Sequence, residues 1–310
     1  MSVAFCGLEL SHPVINGSGT FDALAARRTF GENLLADFPF AAYVSKTITL
    51  EPRDGNPPPR LWEAPGGLIN SIGLPNTGLE RYLAEDLPAL AELTSAVAER
   101  AGQTRSVPLI TNVMGSTADE FSRLVEACEQ RAEIAALELN VSCPNVKTGL
   151  DIGADPRQLK DVVAAVRDRT RKPLIVKLTP NTADVSLCAL AAQEGGADAV
   201  SLINTLRATA LAPGVRERVQ RPPRRWLGGG TGGLSGPAIR AIALAQVASV
   251  AARVSIPVIG MGGVQSPAHA RDLIDVGATL VAVGTESFRD PAAGARIARG
   301  LAGAGRAVLN

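Results

Sequence analysis

The stretch Ala136-Leu-Glu-Leu-Asn-Val-Ser-Cys-Pro-Asn145 joins a short apolar run to a polar turn. The run at 136–141 is too brief for a helix and suits a strand buried on both faces. The turn after it, Ser142 to Asn145, carries a thiol and an amide. The same transition recurs outward in both directions. Apolar or β-branched runs stand at 13–16, 41–46, 108–113, 173–178, 199–204, 257–260 and 280–284, and nearly all end in small or polar residues. Those ends are Asn16-Gly17-Ser18-Gly19, Lys46-Thr47, Asn112, Lys177, Asn204-Thr205, Gly260-Met-Gly-Gly263 and Gly284-Thr285.

Between the runs lie segments with helical spacing. At 118–130, Phe121, Leu124, Val125 and Cys128 share one face, and at 156–170 Leu159, Val162, Val163 and Val166 do so. Segments 183–194, 237–254 and 267–276 read likewise, and several open with proline in the first turn, where its missing N–H costs nothing. Strands alternating with helices predict an α/β fold with a parallel sheet. Eight such strands predict a (βα)8 TIM barrel, with a doubly wound open sheet as the alternative. The chain is expected to form a single domain over residues 1–310. An N-terminal hairpin is expected at 3–10, around Gly7, and two long insertions at the C-terminal face, 48–107 and 205–236. Long insertions in a compact domain tend to be lids or interfaces.

Composition narrows the function. With 31 basic and 30 acidic residues the net charge is +1, and aromatics are 4%. Nucleic-acid binders usually carry a basic surplus, so none is expected as a partner; the Arg-rich segment 216–225 reads as a solvated face or a lid, with a partner surface as the alternative. No run approaches the ~18 apolar residues of a membrane span, and the N-terminus lacks a secretion signal. No membrane association and a cytoplasmic location are the expectations. The four cysteines, Cys6, Cys128, Cys143 and Cys188, show no metal-ligand spacing, and neither His12 nor His269 is near one. No metal site is expected.

In a barrel, every strand's C-terminal end meets on one face, and that face is catalytic. Lysines, asparagines and a cysteine would converge there, a set suited to a flat, hydrogen-bonding ligand that gathers negative charge. Glycines after the last two strands, Gly262, Gly263 and Gly284 with Thr285, would let backbone N–H groups approach a phosphate. Cys6, Cys128 and Cys188 read as small buried hydrophobes, whereas Cys143 sits in a turn just past a strand, where a thiolate can act as base or nucleophile. His12 precedes the first strand and belongs to the opposite, stabilising face. His269 falls in a helix, so a Cys–His hydrolase is disfavoured.

These residues also carry a resemblance. Lys46-Thr-Ile-Thr-Leu-Glu-Pro-Arg53, Gly55-Asn-Pro-Pro-Pro-Arg60, Asn70-Ser-Ile-Gly-Leu-Pro-Asn76, Glu138-Leu-Asn-Val-Ser-Cys-Pro-Asn145, Val176-Lys-Leu178, Thr231-Gly-Gly-Leu-Ser-Gly-Pro237 and Ile259-Gly-Met-Gly-Gly263 occur in order along the chain. In these stretches the sequence resembles the class 1 dihydroorotate dehydrogenases over essentially its whole length. A cysteine at position 143, where the membrane-associated class uses serine, marks class 1. Cys143-Pro-Asn-Val-Lys147 and Ile259-Gly-Met-Gly-Gly-Val264 look more like the B type, while Asn70–Asn76 has the flavour of the A type.

The resemblance implies FMN as cofactor and oxidation of dihydroorotate to orotate in pyrimidine biosynthesis, Cys143 taking the C5 proton and flavin N5 the C6 hydride. It implies substrate contacts from Lys46, Asn70, Ser71, Ile72, Gly73, Leu74, Asn140, Asn145, Asn204 and Thr205. It implies flavin contacts from Gly17, Ser18, Lys46, Thr47, Asn112, Asn140, Lys177, Ile203, Gly236, Gly262, Gly263, Gly284 and Thr285. A homodimer is implied, and for the B type an electron-transfer subunit carrying FAD and an iron–sulfur cluster that reduces NAD. The alternatives are a fumarate-reducing A type, a dihydropyrimidine-directed flavoenzyme, and a barrel aldolase with Lys177 as Schiff base.

Overall fold

The computed structural model describes residues 2–141, 152–212 and 224–304. The chain starts with the hairpin β1 (Val3–Phe5) and β2 (Leu8–Leu10), turning through Cys6 and Gly7, both at positive φ. Then come β3 (Val14–Asn16), α1 (Ala23–Phe30), α2 (Glu32–Ala36) and β4 (Tyr43–Val44). The first insertion contributes β5 (Leu61–Ala64) and β6 (Gly67–Asn70) and leads into α3 (Leu79–Arg81), a π turn and α4 (Leu87–Arg100). Strand and helix alternate from there: β7 (Leu109–Val113), α5 (Ala118–Glu129), β8 (Ile134–Asn140), α6 (Pro156–Arg167), β9 (Leu174–Lys177), α7 (Val185–Glu194) and β10 (Ala199–Leu202). The second insertion holds β11 (Leu206–Ala208) and β12 (Gly232–Ser235). The chain continues through α8 (Arg240–Ala251), β13 (Val258–Met261), α9 (Pro267–Asp275), β14 (Leu280–Val283), α10 (Glu286–Arg289) and α11 (Ala293–Ala304).

Strands β3, β14, β13, β10, β9, β8, β7 and β4 neighbour one another in that order, and each pairs in parallel with the next. The two ends meet. Ala41 N–H donates to the Val14 carbonyl at 2.9 Å. The Asn16 side chain completes the seam: its Nδ2 donates to the Val44 carbonyl and its Oδ1 accepts from Val44 N–H, each at 2.8 Å. An amide side chain thus substitutes for a ladder pair, and the sheet closes as a (βα)8 barrel.

Local chemistry explains why the helices start where they do. Asp22, Thr117, Asp155, Asp184 and Ser266 each cap a helix by accepting from N–H groups in the first turn. Pro156 and Pro267 take the first helical positions of α6 and α9. The barrel interior is apolar at its lower end, where Ile15, Ile110, Ala136, Ile175 and Ile259 pack together. Phe5 and Leu10 of the hairpin join that cluster and plug the N-terminal end.

The insertions differ from the expectation in one respect. The segment 48–107 is not all loop: α4 is the barrel helix that follows β4, and the Pro/Gly-rich part lies ahead of it. What remains of both insertions combines. Strands β11, β12, β6 and β5 form a second, antiparallel sheet in that order. It is held by a small core of Ile69, Ala210 and Leu227 and by an edge-on contact of Trp62 with Trp226, centroids 5.6 Å apart. At Gly232 and Gly233, β12 has no room for side chains, because it lies against Asn70 of β6 and against Thr205. A Cβ on Gly233 would stand 1.8 Å from Thr205 Oγ1.

Candidate active site

The upper half of the barrel interior is polar. Side chains on a strand alternate between faces, so Ala136, Glu138 and Asn140 of β8 share the inner one, as do Ile175 and Lys177 of β9. Glu138, Asn112, Ser201, Lys177 and Asn140 are all buried. Glu138 Oε2 accepts from Asn112 Nδ2 at 2.5 Å and Oε1 accepts from Ser201 Oγ at 2.6 Å. Asn112 Oδ1 is buried with no hydrogen-bond partner. Such an orphaned acceptor costs about 1–3 kcal/mol. Lys177 is only 6% exposed and has no acidic partner within ion-pair distance among the described residues.

Beside this set runs a chain of hydroxyls. Asn140 Nδ2 donates to Thr47 Oγ1 at 3.3 Å, Thr47 Oγ1 lies 3.4 Å from Ser18 Oγ, and Ser18 Oγ donates to the Ser45 carbonyl at 2.8 Å. Lys46 is exposed in the mouth, with Nζ 3.6 Å from where a Cβ on Gly19 would stand. Desolvation by the surrounding walls still draws its ammonium below the ordinary lysine pKa, against an opposing pull from Asp22.

The loop after β6 is stapled in place. Asn56 N–H donates to the Ile72 carbonyl at 2.9 Å, and Asn76 Nδ2 donates to the Leu74 carbonyl at 2.9 Å. Gly73 and Leu74 both have positive φ, 79° and 56°, a conformation rare for leucine. Asn70 Nδ2 reaches the Gly233 carbonyl at 3.3 Å, tying this loop to β12. The Ser71 hydroxyl is committed elsewhere: it donates to the Thr231 carbonyl at 2.8 Å and accepts from Asn56 Nδ2 at 3.0 Å. Across the mouth, Asn204 Oδ1 accepts from Thr205 N–H at 2.9 Å, and the Thr205 carbonyl accepts from Asn181 Nδ2 at 3.0 Å.

The glycines expected to cradle a phosphate cluster as well. A Cβ on Gly263 would be 3.0 Å from the Gly236 carbonyl, and one on Gly262 would be 3.4 Å from Ile203. Thr285 Oγ1 donates to Ser235 Oγ at 2.8 Å, linking the end of β14 to β12. Gly17 N–H donates to the Val283 carbonyl at 2.8 Å. His269 shapes this region from below: its Nδ1 accepts from Gln265 N–H at 3.3 Å, while desolvation and the charge of Arg240 lower its pKa.

The structure therefore gathers Ser18, Lys46, Thr47, Asn112, Asn140, Lys177, Ile203, Asn204 and Thr205 at the barrel mouth, with the 70–74 loop and the glycines at its rim. Asn16 is at the same strand-end level, but its amide is fully used in closing the barrel. Cys143 and Asn145 lie outside the described residues, as does most of the Arg-rich segment 216–225. Cys128 and Cys188 are buried, and burial pushes the Cys128 thiol up to about 12 and that of half-buried Cys6 up to about 11. Sequence reasoning missed Glu138 and Ser201. The available signal was their period-two spacing from Asn140 and Ile203, which turns a charge and a hydroxyl into a barrel interior. Among the described residues no group of His, Cys, Asp or Glu is placed to hold a metal ion, and no helix is long and apolar enough to cross a membrane.

Fold and mouth together define an α/β-barrel protein whose C-terminal face offers amides, lysines and a glycine-lined rim. Comparison with known proteins sharpens that class. The family model described as dihydroorotate dehydrogenase matches residues 1–304. A dihydroorotate dehydrogenase B (NAD(+)) catalytic subunit from Pelobacter propionicus is 43% identical over 302 residues, covering 97% of this chain and 92% of its own. Proteins of the same name from Trichlorobacter lovleyi and Desulforudis audaxviator are each 43% identical, over 305 and 304 residues, again with 97% of this chain covered. The chain belongs to the dihydroorotate dehydrogenase family.

Proposed function

We propose that this protein is an FMN-dependent oxidoreductase that converts dihydroorotate to orotate in pyrimidine biosynthesis. In this reading it is the catalytic subunit of a B-type enzyme and passes electrons to NAD through a separate subunit carrying FAD and an iron–sulfur cluster. The names of its relatives support the NAD-linked, subunit-based reading. It acts as a single-domain cytoplasmic protein and pairs with a second copy of itself.

One observation carries the cofactor assignment. A buried, unsatisfied acceptor on Asn112 and a buried cation on Lys177, with no acidic partner among the described residues, stand on the inner face of one barrel half. A planar ligand with an N–H donor and an edge that becomes negative satisfies both, and the isoalloxazine ring of FMN is such a ligand. Ser18, Lys46, Thr47, Asn112, Asn140, Lys177 and Ile203 would hold the ring. Gly236, Gly262, Gly263, Gly284 and Thr285 would hold its phosphate through backbone N–H groups, and Gly17, whose N–H is committed to Val283, would line the flavin pocket. When bound, FMN supplies the hydride acceptor for a carbon–carbon desaturation.

The chain's own residues do the rest. Asn70, Asn140, Asn145, Asn204 and Thr205 present donors and acceptors that match the alternating pattern of a pyrimidine ring. Backbone N–H groups at 72–74 would face the substrate carboxylate, while Ser71, whose hydroxyl and N–H are both committed, holds the loop that presents them. Lys177 supplies a fixed cation where negative charge gathers. Lys46, already poised below its ordinary pKa, orients the substrate from the other side. Cys143 accepts the C5 proton, and general-base assistance of this kind contributes ~10²–10⁴-fold.

The test is a substrate and acceptor panel with the purified protein. Dihydroorotate is expected to be oxidised and 5,6-dihydrouracil ignored, with NAD reduced only when the electron-transfer subunit is added. Cys143→Ala should keep its flavin and lose at least about a hundredfold in turnover near neutral pH. Oxidation of dihydrouracil in preference to dihydroorotate contradicts the substrate assignment, and near-normal turnover of Cys143→Ala contradicts the base assignment.

A further inference from the structure

Glu138 is a carboxylate inside the barrel, 3% exposed, one step below the groups that would touch a ligand. Its two oxygens are both engaged as acceptors, one with Asn112 Nδ2 and one with Ser201 Oγ. This arrangement decides something about Asn112. The amide has one donor end and one acceptor end, and a carboxylate oxygen holds only the donor end. Glu138 therefore turns Oδ1 to the opposite side, where it is buried and unsatisfied. The Asn112 backbone is fixed independently: its N–H donates to Ser45 Oγ at 3.0 Å and its carbonyl accepts from Ile48 N–H at 2.9 Å. The side-chain amide thus has one remaining freedom, which end faces the mouth, and Glu138 removes it.

We infer that Glu138 is a positioning residue for the cofactor site: by holding the Nδ2 end of Asn112 it presents Oδ1 as an acceptor for a ring N–H of the flavin. The inference rests on the flavin reading above. The oxidised flavin ring system carries one N–H, at N3, so the acceptor selects that edge of the ring. Ser201 completes the device by occupying the second oxygen of Glu138, which leaves the carboxylate no reason to turn away.

Binding of FMN and of 3-methyl-FMN, which lacks the N3–H, tests this by fluorescence titration of apoprotein. Wild type is expected to bind FMN at least about tenfold more tightly than the methylated analogue, the value of one hydrogen bond in a buried site. Glu138→Met, similar in length but with no acceptor, should shrink that preference to less than about threefold. Glu138→Gln should keep it, because its carbonyl can still accept from Asn112 while the Ser201 hydroxyl rotates to accept from its amide. An undiminished preference in Glu138→Met, or one lost in Glu138→Gln, overturns the inference. Failure of wild type to bind FMN at all overturns the flavin reading instead. Should Glu138→Met not fold, a neutron structure of the wild-type holoenzyme decides: the Asn112 amide hydrogens must point at Glu138, and hydrogens pointing at the flavin overturn the inference.

Discussion

At the scale of single residues, the barrel mouth contains two kinds of asparagine that look alike in sequence. Asn16 and Asn112 both stand at strand ends beside small or polar neighbours. Asn16 spends both ends of its amide on the backbone of Val44, and Asn112 spends one and leaves the other unsatisfied. The first closes the fold, and the second is proposed to meet the cofactor. Asn16→Ala should therefore cost stability without altering chemistry. It strands a buried N–H and a buried carbonyl at the seam, a loss of about 2–4 kcal/mol, measurable by urea unfolding. A loss below about 0.5 kcal/mol would show that the seam closes without the side chain. No sequence pattern separates the two roles, because the difference is which strand lies alongside. The same limit hid Glu138, whose charge is tolerable only because Asn112 and Ser201 reach it from neighbouring strands.

At the scale of elements, much of the architecture was legible. All eight barrel strands lie at the runs that ended in polar residues, since buried parallel strands leave a continuous apolar trace. The helices α5, α6, α7, α8 and α9 followed from helical spacing and first-turn prolines. Helix α4 was obscured by the Pro/Gly-rich stretch before it, and the helical spacing of α1 and α11 was passed over in Ala- and Arg-rich sequence. The pairing of the two insertions into one sheet was not legible at all, because strands β6 and β12 are separated by most of the barrel and paired only by the fold. The glycine-rich stretch at 228–233 has a steric reason, as the Gly233–Thr205 contact shows. Gly233→Ala should force β12 away from Thr205. Overpacking of this kind costs ~1–3 kcal/mol, and since Thr205 is a proposed substrate contact, the KM for dihydroorotate should rise about tenfold with FMN retained. An unchanged KM would place the β12–Thr205 contact outside the substrate site.

At the scale of the whole molecule, the two ends of the barrel divide the labour. The N-terminal end carries the hairpin plug and His12, which lines a small cavity with Val3, Pro13, Arg271 and Ile274. Burial lowers the His12 pKa from 6.5 to about 4, and its Nδ1 accepts from Val14 N–H at 3.3 Å. Because the folded value lies below the unfolded one, its contribution is complete above about pH 6.5 and is lost as pH falls toward 4. The whole effect is at most about 3 kcal/mol. Unfolding free energies compared at neutral pH and near pH 5 should converge less in wild type than in His12→Gln; identical pH slopes would remove His12 as the source. The C-terminal end carries the proposed active site, and there the account stands or falls on one half-reaction. Dihydroorotate added anaerobically to the purified holoprotein, with no other acceptor present, should bleach the visible flavin absorbance with about one equivalent of substrate per flavin and yield orotate. A protein that purifies without flavin, or whose bound flavin stays oxidised under excess dihydroorotate, would contradict it.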